Sequence, residues 1–414
     1  MITLYGNAVV GQSGGPTAAI NATLSGVIRG AKAAMQKGVI GRLYGMKNGI
    51  EGLLSEDLVD LFTEVPDEST HKLLEGTPAA ALGSCRKKLP KPDGSDDTVY
   101  ERLIAVFKKY NIRYFFYIGG NDSMDTVAKL TKYTRRVGYE MRVMGVPKTI
   151  DNDLCGTDHT PGFGSAAKFI ATTVSELIRD CAVYTVPAVT IVEIMGRDAG
   201  WLTAAAALAG ENGGGRPDLV YLPERVFSLD AFMASIRNAL SRHPNVVVAV
   251  SEGIRYSDGR YVGEGTQSGA TDVFGHKYLA GTGKTLEIAV KNEIGCKVRS
   301  VELSLTQRCA AHIASKTDIT ESVRVGKAAV NAAVRGASGK MMCLVRRDGD
   351  AYAISTRAAG IAAIANKVKT VPDAYINTAG NDVAEACLDY LRPLILGECR
   401  QSYENGIPKH FILK

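Results

Sequence analysis

The sequence predicts an α/β protein of two lobes, each carrying a mostly parallel sheet, with a cleft for ligands between them. Three observations predict it. The chain has 414 residues, too many for one ordinary core, so two packed lobes are expected. Short apolar runs recur, each ends in glycine or polar residues, and helical patterns follow them, which is the alternation of a parallel α/β sheet. The polar clusters all fall at the carboxyl ends of those runs, where such sheets bind ligands.

The elements follow in order. Asn7 to Val10 leads into Gly11-Gln12-Ser13-Gly14-Gly15-Pro16, and an Ala-rich helical pattern starts near Thr17. Arg113 to Ile118 is rich in β-formers, stops at Gly119-Gly120, and precedes a helix near Asp125. Met141 to Val146 ends in Pro147-Lys148-Thr149-Ile150-Asp151-Asn152-Asp153. Ala188 to Ile194 ends at Met195-Gly196-Arg197, and Asn245 to Val250 ends at Ser251-Glu252-Gly253. Lys88 to Thr98, rich in Pro, Asp and Gly, reads as a surface loop. Asp382 to Leu391 reads as helical.

Composition narrows the function. A net charge of +6 is mild for this length, and no Lys/Arg run exceeds Arg86-Lys87-Lys88. A nucleic-acid binder concentrates its basic residues; a mild positive excess suits a cleft for small anions. The eight cysteines form no C-x-x-C pair, so free thiols in a reducing cytoplasm are expected. No apolar stretch has the length of a membrane span, and the chain opens without a basic or apolar leader. A cytoplasmic protein with neither nucleic-acid nor membrane partner is expected.

Several clusters carry chemistry, each beside a plainer reading. The turn Gly11 to Pro16 can cradle phosphate on backbone N–H groups at a helix start, or be a tight turn with no ligand. Gly119-Gly120-Asn121-Asp122-Ser123 can hold phosphate and a metal, or simply cap the next helix. Lys148 to Asp153 combines a cation, a hydroxyl and two carboxylates. One carboxylate can serve as general base, the other can face a metal, and the lysine can stabilise charge on transferring oxygens; the alternative is a solvated acidic turn with a salt-bridging lysine. Arg197, Glu252, Arg299, Gln307 and Arg308 suit phosphate and sugar hydroxyls, or are surface polar groups. Gly281-Thr282-Gly283-Lys284-Thr285 resembles the end of a P-loop, but Tyr278 stands where that pattern needs glycine. It reads as a loop opening a helix.

From about Asn7 to about Val334 these segments, in this order, resemble the phosphofructokinase family. The motifs that carry the resemblance are T-I-D-N-D followed by G-T-D, the M-G-R triplet, and S-E-G after a valine run. The resemblance implies phosphoryl transfer to the 1-hydroxyl of fructose 6-phosphate, with Mg²⁺. It implies Asp151 as catalytic base, with Thr149, Ile150 and Asp153 beside it. Met195, Gly196, Arg197 and Glu252 match sugar contacts, and Arg299 and Arg308 match arginines that grip the 6-phosphate. Gly11, Gly120 and Arg86 match donor contacts, and Asn121 and Asp153 the metal position. Arg299 matches an arginine lent across a subunit interface, so a homodimer or homotetramer is expected.

Two positions bear on the donor. ATP-using members resemble G-G-D-G-S and P-G-T-I-D-N-D; here Asp122 and Lys148 stand in place of glycines. A carboxylate at the first position fills the space of the nucleotide's α-phosphate and repels it by about 4 kcal/mol at 4 Å and intermediate dielectric. Lys148 supplies a cation for the leaving and attacking oxygens. Members with both substitutions look like pyrophosphate users, so Asp151, Lys148 and Asp122 form the expected catalytic set. The chain departs from the family pattern at three places: Asn121 replaces a metal-site aspartate, Leu305 a sugar-contacting histidine of short bacterial forms, and Ala188 a cross-subunit arginine. The alternatives weighed are an ATP-dependent 6-phosphofructokinase, an NAD or lipid kinase, and a non-catalytic sugar-phosphate-binding paralogue. We divide the chain into a donor lobe at 1–160, a fructose 6-phosphate lobe at 161–310 that returns to the first near 270–310, and a C-terminal helical segment at 311–414. Both lobes are expected to be Rossmann-like.

Overall fold

A computed structural model describes residues 3–94, 96–264, 281–349 and 351–413. Its main strands, in chain order, are β1 (Gly6–Gln12), β2 (Ile40–Met46), β3 (Leu58–Asp60), β4 (Ile112–Gly119), β5 (Arg142–Pro147), β6 (Ala188–Ile194), β7 (Leu219–Tyr221), β8 (Asn245–Ser251), β9 (Lys297–Glu302), β10 (Lys340–Arg346) and β11 (Ile354–Gly360). They make two large sheets. The first has the order β11-β10-β5-β4-β1-β2-β3, and the second β7-β8-β6-β9. The second is parallel throughout; in the first, only β3 and β11 run antiparallel to their neighbours.

The first sheet is covered on both faces, and the side-chain alternation of its strands shows how. Ala8, Val10, Tyr114, Phe116 and Ile118 pack with Ile20, Leu24 and Val27 of one helix and Val325 and Ala329 of another. Their chain neighbours Val9, Phe115 and Tyr117 point the other way, onto Leu103, Phe107, Met124 and Val127. Successive residues of a strand face opposite sides, so a strand buried on both faces reads as an unbroken apolar run. That is why β4 was visible in sequence. The second sheet is sandwiched likewise: Val192, Ile194, Val247 and Ala249 pack on the helix Phe163–Cys181, and Val189, Ile191, Val246 and Val248 on Phe232 and Leu286.

The lobes divide differently from the sequence reading. The helix Thr282–Ile294 and β9 belong to the second sheet, and residues 265–280 lie outside the described ones. The chain re-enters the first lobe with the helix Lys316–Val334, which packs along the helix Ile20–Met35. The C-terminal stretch is not merely helical, since β10 and β11 extend the first sheet. The P-loop-like Gly281–Thr285 opens a helix, and Gly283 donates its N–H to the buried Glu193 carboxylate at 2.7 Å. A side chain of the same chain therefore occupies that helix start. All eight cysteines are free. Among the described residues no helix is long and apolar enough to cross a membrane.

Candidate active site

The strand order of the first sheet reverses around β1, which lies between β4 and β2. Open α/β sheets bind ligands in the crevice at such a switch point. The loops leaving β1, β4 and β5 do meet there. Together with the loops leaving β6 and β8 they line one cleft of about 560 Å³, which includes Ser13 to Thr17, Arg86, Gly120 to Ser123, Lys148 to Asp151, Asp153, Met195, Arg197, Glu252 and Arg308.

The first wall is a phosphate-sized turn. Gly14 has φ +77°, a conformation glycine adopts without strain. A Cβ on Gly15 would lie 3.0 Å from Arg308 Nη1, and one on Gly14 3.3 Å from Lys148 Nζ. Two cations therefore converge on this turn, and Lys148 Nζ donates to the Gly15 carbonyl at 2.5 Å. In the turn after β4, Gly119 is the position that requires glycine, because a Cβ there would sit 1.9 Å from Ser123 Oγ. Asn121 and Asp122 open the following helix. Asp122 pairs with Lys88 at 3.3 Å, so its charge is shared at the cleft rim. The helix starts four residues before Asp125, where the sequence pattern put it.

The floor is the segment after β5. Lys148 donates its N–H to the Gly119 carbonyl at 3.0 Å and Thr149 to that of Pro161 at 3.2 Å. The Thr149 hydroxyl accepts the Asp151 N–H at 3.1 Å and donates to Asp151 Oδ2 at 3.4 Å. Asn152 then turns the chain with φ +55°, and its amide oxygen accepts the Thr160 N–H at 3.1 Å. Burial sets the electrostatics. It raises the Asp151 carboxyl above its ordinary range, opposed by the Lys148 charge. It pushes Asp153 up to about 7, helped by the charge of Asp151, and brings the Lys148 ammonium down to about 8. Two carboxylates and one lysine, each desolvated beside a cleft, form a cluster typical of functional sites.

The opposite wall comes from the second lobe. Glu252, raised to about 8 chiefly by burial, accepts the Gly196 N–H at 3.3 Å. Ser251 donates to the Gly196 carbonyl at 2.6 Å, which fixes the turn before Arg197. Gln307 is used internally: it accepts the Met195 N–H at 3.3 Å and donates to the Ser304 carbonyl at 2.9 Å. Arg308 reaches the cleft.

Not every expected residue joins the cleft. Gly11 lies within β1, where a Cβ would meet Met46 Cε at 2.4 Å; Ser13 to Thr17, just beyond it, line the cleft instead. Leu305 is 55% exposed and is not among the lining residues. Arg299 borders a separate surface hollow with Tyr184, Val186 and Ala188. The cleft also contains Lys88, Asp198, Asn366 and Val368, which no motif announced. Asn366 and Val368 come from a C-terminal segment whose chemistry is unremarkable in sequence and whose place depends on the fold.

A family profile described as "Phosphofructokinase" matches residues 7–333. The chain is 44% identical to a pyrophosphate–fructose 6-phosphate 1-phosphotransferase of Halomonas elongata over 97% of this chain and 95% of that one. It is 41% identical to a protein of the same name from Methylococcus capsulatus, over 98% and 96%. The crystal structure of a pyrophosphate-dependent phosphofructokinase from Nitrosospira multiformis superposes with a TM-score of 0.89 at 38% identity, covering 99% of this chain and 97% of that one.

Proposed function

This chain belongs to the phosphofructokinase family, and from that premise we propose that it moves a phosphoryl group from pyrophosphate to the 1-hydroxyl of fructose 6-phosphate, giving fructose 1,6-bisphosphate and phosphate. The observation that carries the choice of donor is Lys148: its ammonium reaches the Gly15 carbonyl of the β1 turn, where an ATP user resembling P-G-T-I-D-N-D has no side chain at all. Asp122 supports the same choice from the next strand end.

In this reading the turns Ser13–Thr17 and Gly119–Ser123 hold the donor, with Arg86 facing it. Asp151, oriented by Thr149, takes the proton of the 1-hydroxyl as its oxygen attacks in line. Lys148 steadies charge on the leaving and attacking oxygens. Thr149, Ile150, Met195, Gly196, Arg197 and Glu252 hold the sugar, and Arg308 the 6-phosphate. The residues fit a magnesium ion: the Asn121 side-chain oxygen is buried with no hydrogen-bond partner, and Asp153 is a half-buried carboxylate lining the same cleft. A bound Mg²⁺ would neutralise charge on the phosphates, and Asn121 and Asp153 would hold it.

Pyrophosphate and a sugar-phosphate ester lie close in transfer potential, so the reaction runs readily in both directions, as a glycolytic step in the cytoplasm. Arg299 reaches a partner's 6-phosphate in a homodimer or homotetramer. Assaying the purified protein forward and in reverse, with pyrophosphate and ATP side by side, tests the reading. Pyrophosphate-dependent turnover in both directions is expected; robust ATP use without pyrophosphate activity would defeat it.

A further inference from the structure

The segment 366–371 lies beyond the family-matched residues 7–333, yet it is bonded to the turn after β4, to the segment after β5 and to the second lobe. Asn121 donates its amide to the Lys367 carbonyl at 3.1 Å. Val368 bridges Leu154 in antiparallel fashion, and the Lys369 N–H donates to the Asp153 carbonyl at 2.7 Å. From the second lobe, Trp201 Nε1 donates to the Lys369 carbonyl at 2.9 Å, and Glu224 accepts the Val371 N–H at 2.8 Å.

The Lys369 side chain passes under the catalytic loop. Its ammonium donates to the Asp158 carbonyl at 2.7 Å, to the Asn152 side-chain oxygen at 3.2 Å and to the Thr157 carbonyl at 3.4 Å. It also lies 5.2 Å from the centre of the Trp201 ring. Asn152 matters because it separates the two carboxylates and has positive φ, a conformation that non-glycine residues hold where the surroundings fix it. Lys369 and Tyr390 supply that fixing: Asn152 donates to Tyr390 Oη at 2.9 Å, and Tyr390 in turn donates to the Asp158 carbonyl at 2.7 Å.

We propose that Lys369 is a positioning residue for phosphoryl transfer: by gripping Asn152 and the Thr157 and Asp158 carbonyls, it holds the turn that aims Asp151 and Asp153 into the cleft. The proposal rests on Asp151 being the base. A displacement of the reacting groups by about 1 Å costs on the order of 10²-fold in rate, so the effect falls on kcat and leaves the sugar-binding wall of the second lobe in place.

The test compares wild type, Lys369→Met, Lys369→Arg and Asp151→Ser, the last marking the floor of activity. Forward and reverse kcat and KM with pyrophosphate are measured beside thermal melts and calorimetric titration of fructose 6-phosphate. For Lys369→Met, kcat is expected to fall about 10²-fold in both directions, with fructose 6-phosphate affinity and binding stoichiometry close to wild type, and Lys369→Arg should recover part of the loss. An unchanged kcat overturns the proposal. So does a rate loss matched by a fall in binding stoichiometry, which marks a residue that merely keeps the protein folded. Should Lys369→Met not fold, Lys369→Gln, which reaches fewer of the three acceptors, is judged by the same criteria. A wild-type protein inert with pyrophosphate takes down the function and this proposal together, whereas an active wild type with an unaffected Lys369→Met removes only this one.

Discussion

Lys148 is an ammonium group only 3% exposed, and its behaviour with pH follows from that. Burial favours the neutral amine, and the neighbouring Asp151 charge offsets only part of the effect, leaving a pKa of about 8. Under the proposed function the charged form is the one that binds the polyanionic donor, and it is present below that pH and lost as pH rises through it. The pH dependence of kcat/KM reports the free enzyme. We therefore expect kcat/KM for pyrophosphate to decline as pH passes about 8, measured by initial rates across buffers of constant ionic strength. Lys148→Arg keeps its charge, so its profile, though lower, should lose the part of the decline that Lys148 causes. Asp122 lines the same cleft, and the effect proposed for it is weaker. It is 37% exposed and paired with Lys88, so solvent and partner reduce its repulsion well below the unscreened figure.

Among the elements, the two helices that cover one face of the first sheet show how close packing is enforced. A Cβ on Gly26 would lie 2.1 Å from the Val323 carbonyl oxygen, and one on Gly326 2.2 Å from that of Thr23. Neither oxygen belongs to a side chain that can swing away. Replacing glycine by alanine in a helix gains about 1 kcal/mol of propensity, but forcing backbones apart costs more, in the range of about 1–3 kcal/mol. Gly26→Ala and Gly326→Ala are each expected to lower stability by about 1 kcal/mol net, read from urea denaturation midpoints. Gly30→Ala should cost less, because its nearest contact is the Val330 side chain at 2.9 Å. A result in which all three variants matched wild type would mean that the helices are not in backbone contact.

For the molecule as a whole, the surface beside Arg299 is the informative region. Val183 is 70% exposed, Tyr184 47% and Val186 54%; Tyr184 and Val186 line the hollow that Arg299 borders, and Val183 precedes Tyr184 in the chain. An apolar patch next to a cation that should act in another subunit's site fits the face where two copies meet. Introducing Asp at both Val183 and Val186 should lower the sedimentation coefficient towards that of a monomer and raise KM for fructose 6-phosphate about tenfold or more, a change of about 1.4 kcal/mol. Intact assembly with unaltered KM would remove Arg299 from the sugar-phosphate site.

What the sequence determined by itself is the local chemistry and the strands that carry it. Lys148, Thr149, Asp151 and Asp153 are adjacent in the chain, so their meeting needs no long-range pairing. β4, β6 and β8 declare themselves because burial on both faces demands continuous apolar runs. β9 escaped notice because its exposure alternates at the edge of its sheet, and β10 and β11 because nothing in composition assigns a late strand to an early sheet. Only the tertiary structure placed Arg308 against Gly15, Gln307 behind Met195, and the 366–371 segment over a loop that is 246 residues away at the Asn121–Lys367 contact. Such contacts follow from sheet order and helix packing, which sum many weak preferences over the whole chain, whereas a motif at a strand end is set by a few neighbouring residues and their backbone geometry.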